Sequence, residues 1–137
     1  MPVGTARRIK DVSCYAGGPA LPDFLAQTDI LVCLLPLTDQ TRGILNTRLF
    51  AALPRGAQLV NVGRGGHLVE RDLIEALNRG VLSAAVLDVA EHEPLPADHP
   101  FWSHPRILLT SKPSIATAAA KPCRVASILN AGTETVL

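Results

Sequence analysis

A chain of 137 residues has the length of one ordinary domain, and its 13 Lys+Arg against 12 Asp+Glu leave no field that would gather nucleic acid. The three cysteines, Cys14, Cys33 and Cys123, are far apart, odd in number and form no CxxC pair, so neither a disulfide framework nor a zinc knuckle is indicated and free thiols are the simplest reading. The longest uncharged apolar run, Ile30 to Leu37, is about half of what a membrane-spanning helix needs, and MPVGTARRIK lacks the apolar stretch of a signal peptide; the expectation is a cytoplasmic protein without a membrane or nucleic-acid partner.

In chain order, Pro22 to Gln27 reads as a short helix and Asp29 to Leu35 as the first strong strand. Asn46 is placed to cap a helix whose Leu49, Phe50 and Leu53 share one face and which ends near Pro54. A strand follows over Ala57 to Val62. The next helix runs from Glu70 to Arg79, with Leu73, Ile74 and Leu77 inward, acidic residues in its first turn and Gly80 as its stop. Ser83 to Val89 and Ile107 to Thr110 are the last two strands. The tail SKPSIATAAAKPCRVASILNAGTETVL turns to Ala, Ser and Thr with two prolines, and is expected to hold short helices or to be flexible.

Apolar runs alternating with helical segments are the signature of parallel β/α units. Because the runs are continuously apolar rather than alternating, they suit strands covered on both faces. The fold class is therefore α/β, a doubly wound parallel sheet with helices on both faces. In such sheets ligands sit beyond the carboxyl ends of the strands. Those ends carry Pro36-Leu37-Thr38, then Asn61-Val62-Gly63-Arg64-Gly65-Gly66-His67, then Asp88 followed by Glu93-Pro94-Leu95-Pro96. Read alone, the glycine-rich stretch is a tight turn with a solvated arginine, or a loop presenting a guanidinium to a small anion; it lacks GxGxxG spacing and is not a dinucleotide phosphate loop. His67, His92, His99 and His104 have no metal-ligand spacing and read as surface or packing residues; no metal site is expected.

The series LLPLTDQTRGILN, LPRGAQLVNVGRGGHLVERDLIEAL and VLDVAEHEPLPADHPFWSHPRILLT resembles the second half of the cofactor domain of the D-2-hydroxyacid dehydrogenases, and within them the bacterial glyoxylate/hydroxypyruvate reductases. The resemblance covers roughly residues 12 to 110. It implies a partial Rossmann-like NAD(P)-binding domain over 1–110 and a divergent tail over 111–137. It also implies reduction of a 2-oxo acid, glyoxylate or hydroxypyruvate, by NADPH or NADH. In that chemistry an arginine grips the substrate carboxylate while a histidine, oriented by a glutamate, supplies the proton. Arg64 falls on the arginine and Glu93, 29 positions further on, falls on the glutamate. Asp88 falls near the nicotinamide carboxamide; Leu35, Pro36 and Leu37 match the apolar loop that covers the adenine side of the cofactor, and Val62 and Gly63 also fall where the family lines it.

The chain departs from this pattern in two places. Thr110-Ser111-Lys112-Pro113-Ser114 stands where the family has threonine-proline-histidine, so the position of the catalytic acid falls on Lys112 without a gap or on Ser114 with two inserted residues; neither is a good substitute, since an ordinary lysine titrates near ~10.4 and a serine hydroxyl is a weaker acid still. The family's first strand, GxGxxG loop and helix have no counterpart in the sequence. Arg7, Arg8 and Lys10 lie only near where NADPH-preferring relatives place charges. The absent strand would sit beside Ile30 to Leu35, so an apolar edge is expected there, covered by self-association, another chain or a rearranged N-terminal segment. Two readings follow: a reductase by descent that is inactive or weak alone, or a non-catalytic association module or truncated remnant.

Overall fold

The computed structural model describes residues 15, 18–110 and 125–128. Five parallel strands, β1 (Ile30–Cys33), β2 (Ala57–Asn61), β3 (Leu82–Leu87), β4 (Ile107–Leu109) and β5 (Val125–Ile128), form one sheet in the order β4-β3-β2-β1-β5. Three helices accompany them: α1 (Leu21–Ala26), α2 (Thr47–Ala51) and α3 (Glu70–Asn78). Parallel neighbours require crossover connections, and α2 and α3 supply them between β1 and β2 and between β2 and β3.

Register explains the core. Leu31, Leu59, Ala85 and Ile107 lie in one row across the sheet, and Cys33, Asn61, Leu87 and Leu109 in the next row on the same face. Leu31, Cys33, Leu59, Asn61, Ala85 and Leu87 are all buried, and the apolar ones join a single cluster with Phe24, Leu25, Leu49, Phe50, Leu73, Ala76, Leu77 and Phe101. At about 1.5–3 kcal/mol for each large side chain removed from water, this cluster is the main source of stability. The opposite face carries the row Val32, Val60, Val86 and Leu108, whose valines are only half-buried and whose leucine is 57% exposed. Burial raises the Cys33 thiol above its ordinary pKa, against a smaller lowering by a backbone hydrogen bond at Leu35, so it stays a packing group.

The local signals act where they stand. The Asn46 side chain accepts the Leu49 N–H at 3.2 Å and caps α2, and Gly80 adopts φ 69° just past α3, where a side chain would be strained. Strands stop earlier than their apolar runs: Leu34, Leu35 and Val62 already belong to the loops, which delivers them to the cleft side of the sheet.

The outer edge of β1 is a correction. The strand beside it is β5, paired in parallel from Ile30 with Val125 to Cys33 with Ile128. This place, expected to be covered by self-association, another chain or a rearranged N-terminal segment, is taken by β5. Nor are residues 125–128 helical or loose: once a parallel template is present, the backbone groups of Val125–Ile128 find ladder partners that an isolated short helix would leave to water.

Candidate functional site

A cleft of about 540 Å³ opens at the carboxyl ends of β1, β2 and β3, lined by Leu37 from the first loop, by Val62 and Arg64 to Gly66 from the second, and by Asp88 to Glu91 with Glu93 from the third. The cleft thus lies over the carboxyl ends of three adjacent parallel strands, the side of such sheets on which ligands bind.

The second loop is built to hold Arg64. Asn61, fully buried at the end of β2, accepts the Gly63 N–H through Oδ1 and donates through Nδ2 to the Arg64 carbonyl, both at 3.2 Å. The His67 imidazole lies under the loop, with Nδ1 3.0 Å from both the Arg64 amide nitrogen and the Arg64 carbonyl oxygen. A short 3-10 turn, Gly65–His67, follows. Its far side is tied to the segment after the first loop by Gly43 N–H to Gly66 O and Leu45 N–H to His67 O, each 2.9 Å. The Arg64 side chain is exposed, and one guanidinium nitrogen donates to the Gly63 carbonyl at 2.8 Å, which aims the remaining donors outward.

Gly65 joins the second loop to the third. A β-carbon there would overlap the Ala90 carbonyl, so only glycine lets the two backbones touch. Beyond that contact, Glu93 is exposed and its Oε1 accepts the Ala90 N–H at 3.1 Å. Asp88 extends from the end of β3; its Oδ1 accepts the Thr110 hydroxyl at 2.6 Å, which leaves Oδ2 for another donor. Arg64 is the one cation among the described lining residues, set opposite Asp88, Glu91 and Glu93. A small anion therefore has one partner in the cleft, and a neutral carboxamide has Asp88.

Of the residues singled out from sequence, Leu37, Val62, Arg64, Asp88 and Glu93 line the cleft. Leu35 and Gly63 are buried beside it and Pro36 is exposed, and none of the three is a lining residue. Lys112, and with it Arg7, Arg8 and Lys10, lies outside the described residues. No histidine among the described residues lines the cleft. His99 packs instead against Glu70, with Nε2 3.0 Å from Oε2, and His104 accepts the Arg106 N–H. Sequence reading missed the roles of Asn61, His67, Gly65 and Thr110. A buried-strand asparagine directly before a glycine-rich turn was the available signal for the first; the other three depend on neighbours far along the chain.

A parallel sheet with a cleft at its strand ends, an arginine-bearing turn on one side and acidic loops on the other defines a Rossmann-like α/β domain. The profile of the D-isomer specific 2-hydroxyacid dehydrogenase NAD-binding domain matches residues 4–112, and the chain belongs to that family. It is 51% identical over 106 residues to glyoxylate/hydroxypyruvate reductase A of Yersinia enterocolitica, covering 77% of this chain and 34% of the relative. Among solved structures, a D-isomer specific 2-hydroxyacid dehydrogenase family protein from Klebsiella pneumoniae 342 is 52% identical with a TM-score of 0.75, over 77% of this chain and 34% of that one. A dehydrogenase of the same family from Xanthobacter autotrophicus Py2, solved with NADPH and MES, is 47% identical with a TM-score of 0.74, over 78% and 44%. The chain thus spans about a third of the length of the curated relatives it matches.

Proposed function

We propose that this chain carries the substrate-gripping half of an NAD(P)H-dependent reductase site for small 2-oxo acids such as glyoxylate and hydroxypyruvate, and that alone it is inactive or weakly active. The observation that carries the reading is Arg64, the one cation among the described residues lining a cleft otherwise bounded by Leu37, Val62, Asp88 and Glu93. A guanidinium can meet a carboxylate with two parallel hydrogen bonds and draw charge from the adjacent carbonyl as it is reduced. Glu93, on the third loop, is the carboxylate that would orient the proton donor, and Lys112 takes the place of that donor in the sequence.

The described residues fit one end of a nicotinamide cofactor, which when bound supplies the hydride. Val62 offers apolar surface beside the nicotinamide ring and Leu37 toward the adenine side, and Asp88 Oδ2 can accept from a carboxamide N–H. Leu35, Pro36 and Gly63 would act from behind as support. The given sequence contains no GxGxxG loop to hold the pyrophosphate, so the reading covers the nicotinamide and substrate end of the cofactor site alone.

A second reading, a non-catalytic association module, draws on the apolar groups beside β4: Leu108 and Trp102 are 57% and 58% exposed. Calorimetric titration with NADPH and NADH, with the oligomeric state recorded in the same sample, separates the two. Saturable binding supports the reductase reading and justifies assays with glyoxylate and hydroxypyruvate. No binding at millimolar cofactor, together with association that survives Arg64→Ala and Glu93→Gln, replaces it with the module.

A further inference from the structure

His67 is fully buried, does not line the cleft, and has a ring nitrogen, Nε2, with no hydrogen-bond partner among the described residues. A leucine would fill comparable space without burying an orphan polar atom. The question is what the imidazole supplies in return, and donor-acceptor counting answers it. The Arg64 carbonyl already receives two donors, the His67 backbone N–H at 3.2 Å and the Asn61 Nδ2 at 3.2 Å, which occupies both of its lone pairs. The Arg64 N–H has one acceptor among the described residues, His67 Nδ1 at 3.0 Å. Nδ1 also stands 3.0 Å from the Arg64 carbonyl oxygen, but that oxygen already has two donors while the Arg64 N–H has no other acceptor among the described residues, so the acceptor role falls to Nδ1 and the proton to Nε2. The loop makes room for this ring: a β-carbon on Gly63 would stand 3.0 Å from Nδ1 and 3.1 Å from Cε1.

We infer that His67 is a positioning residue for Arg64: as the neutral Nε2–H tautomer it accepts the Arg64 backbone N–H and holds the turn that aims the guanidinium at an anionic substrate. This rests on the reading of Arg64 as the carboxylate grip. His67 does not touch substrate; it acts through the arginine. The buried, unpartnered Nε2–H is the cost of having an acceptor at this one point.

The test compares the full chain with His67→Leu, which keeps the bulk and removes the acceptor, and His67→Asn, whose Oδ1 can stand where Nδ1 stands. Three readouts apply: imidazole 15N shifts of the wild type, hydrogen exchange of the Arg64 amide, and calorimetric titration with oxalate as a small carboxylate probe. The expected results are an unprotonated Nδ1 with the proton on Nε2, a melting temperature for His67→Leu that is unchanged or higher, and Arg64 amide exchange about ten-fold faster in that variant. Oxalate affinity should fall by a similar factor, as the loss of one backbone hydrogen bond implies, and His67→Asn should restore both. An Nδ1–H tautomer, or unchanged Arg64 exchange in His67→Leu, overturns the proposal. If His67→Leu does not fold, the wild-type 15N spectrum decides by tautomer. If oxalate fails to bind even the wild type, the carboxylate-grip reading fails, while the tautomer and exchange readouts still decide the role of His67.

Discussion

The two loops that face each other across the cleft are built to different standards. The Arg64 loop is held from below by Asn61 and His67 and from the side by the strap at Gly43 to Leu45. The loop carrying Glu93 is tied at its two ends, by the Thr110 hydroxyl on Asp88 and by Trp102 Nε1–H on the Pro96 carbonyl, but Glu93 itself is exposed and holds only the Ala90 N–H among the described residues. On the proposed reading, the difference bears on which half of the chemistry is prepared in advance. A carboxylate grip gains from a guanidinium fixed before the ligand arrives, because binding then costs little ordering. An acid whose glutamate stands at an exposed rim relies on something further to hold it.

The contact between Gly65 and Ala90 is where the two loops meet, so Gly65→Ala is the sharpest way to break the comparison. The new methyl group must displace the Ala90 backbone, and we expect a loss of about 2–3 kcal/mol in denaturant unfolding, with ligand-binding loops disturbed on both sides of the cleft. Asn61→Ala attacks only the braced side. It leaves the buried Gly63 N–H without its acceptor and removes one donor from the Arg64 carbonyl, a cost of about 1–3 kcal/mol. A loss below about 0.5 kcal/mol would show that the brace is not what holds the turn.

Arg64→Ala should separate function from fold. The side chain is exposed and bonded only to its neighbour's carbonyl, so unfolding should change by less than about 0.5 kcal/mol while oxalate affinity drops about ten-fold or more. Equal oxalate binding by the variant would remove the arginine from the site. The smallest effect belongs to the rim: Glu93→Gln keeps an oxygen for the Ala90 N–H, and its stability should match the wild type within about 0.5 kcal/mol. A larger loss there would mean that the third loop is as tightly built as the second.

Much of this architecture was legible in the order of residues. The apolar runs around β1 to β4, the Asn46 cap and the Gly80 stop work at short range, through side-chain period and backbone preference, and each appears within a residue or two of its expected place. Arg64 and Glu93 were legible only as motif positions, and both reach the cleft because β2 and β3 are paired neighbours. The partner of the β1 edge was not legible. Val125–Ile128 sits in a tail of small and polar residues, and nothing local in it signals a strand that pairs with residues almost a hundred positions earlier.

The sequence by itself determined which segments could be strands and helices, which family pattern they follow and which residues stand at the strand ends, because those properties depend on neighbours within a few residues. Only the tertiary structure decided that β5 covers β1, that Gly65 must lie against Ala90 and that a buried histidine serves the backbone of Arg64. Each of those is a question of which distant group fills a particular space or accepts a particular proton, and that is answered only when the chain has closed on itself.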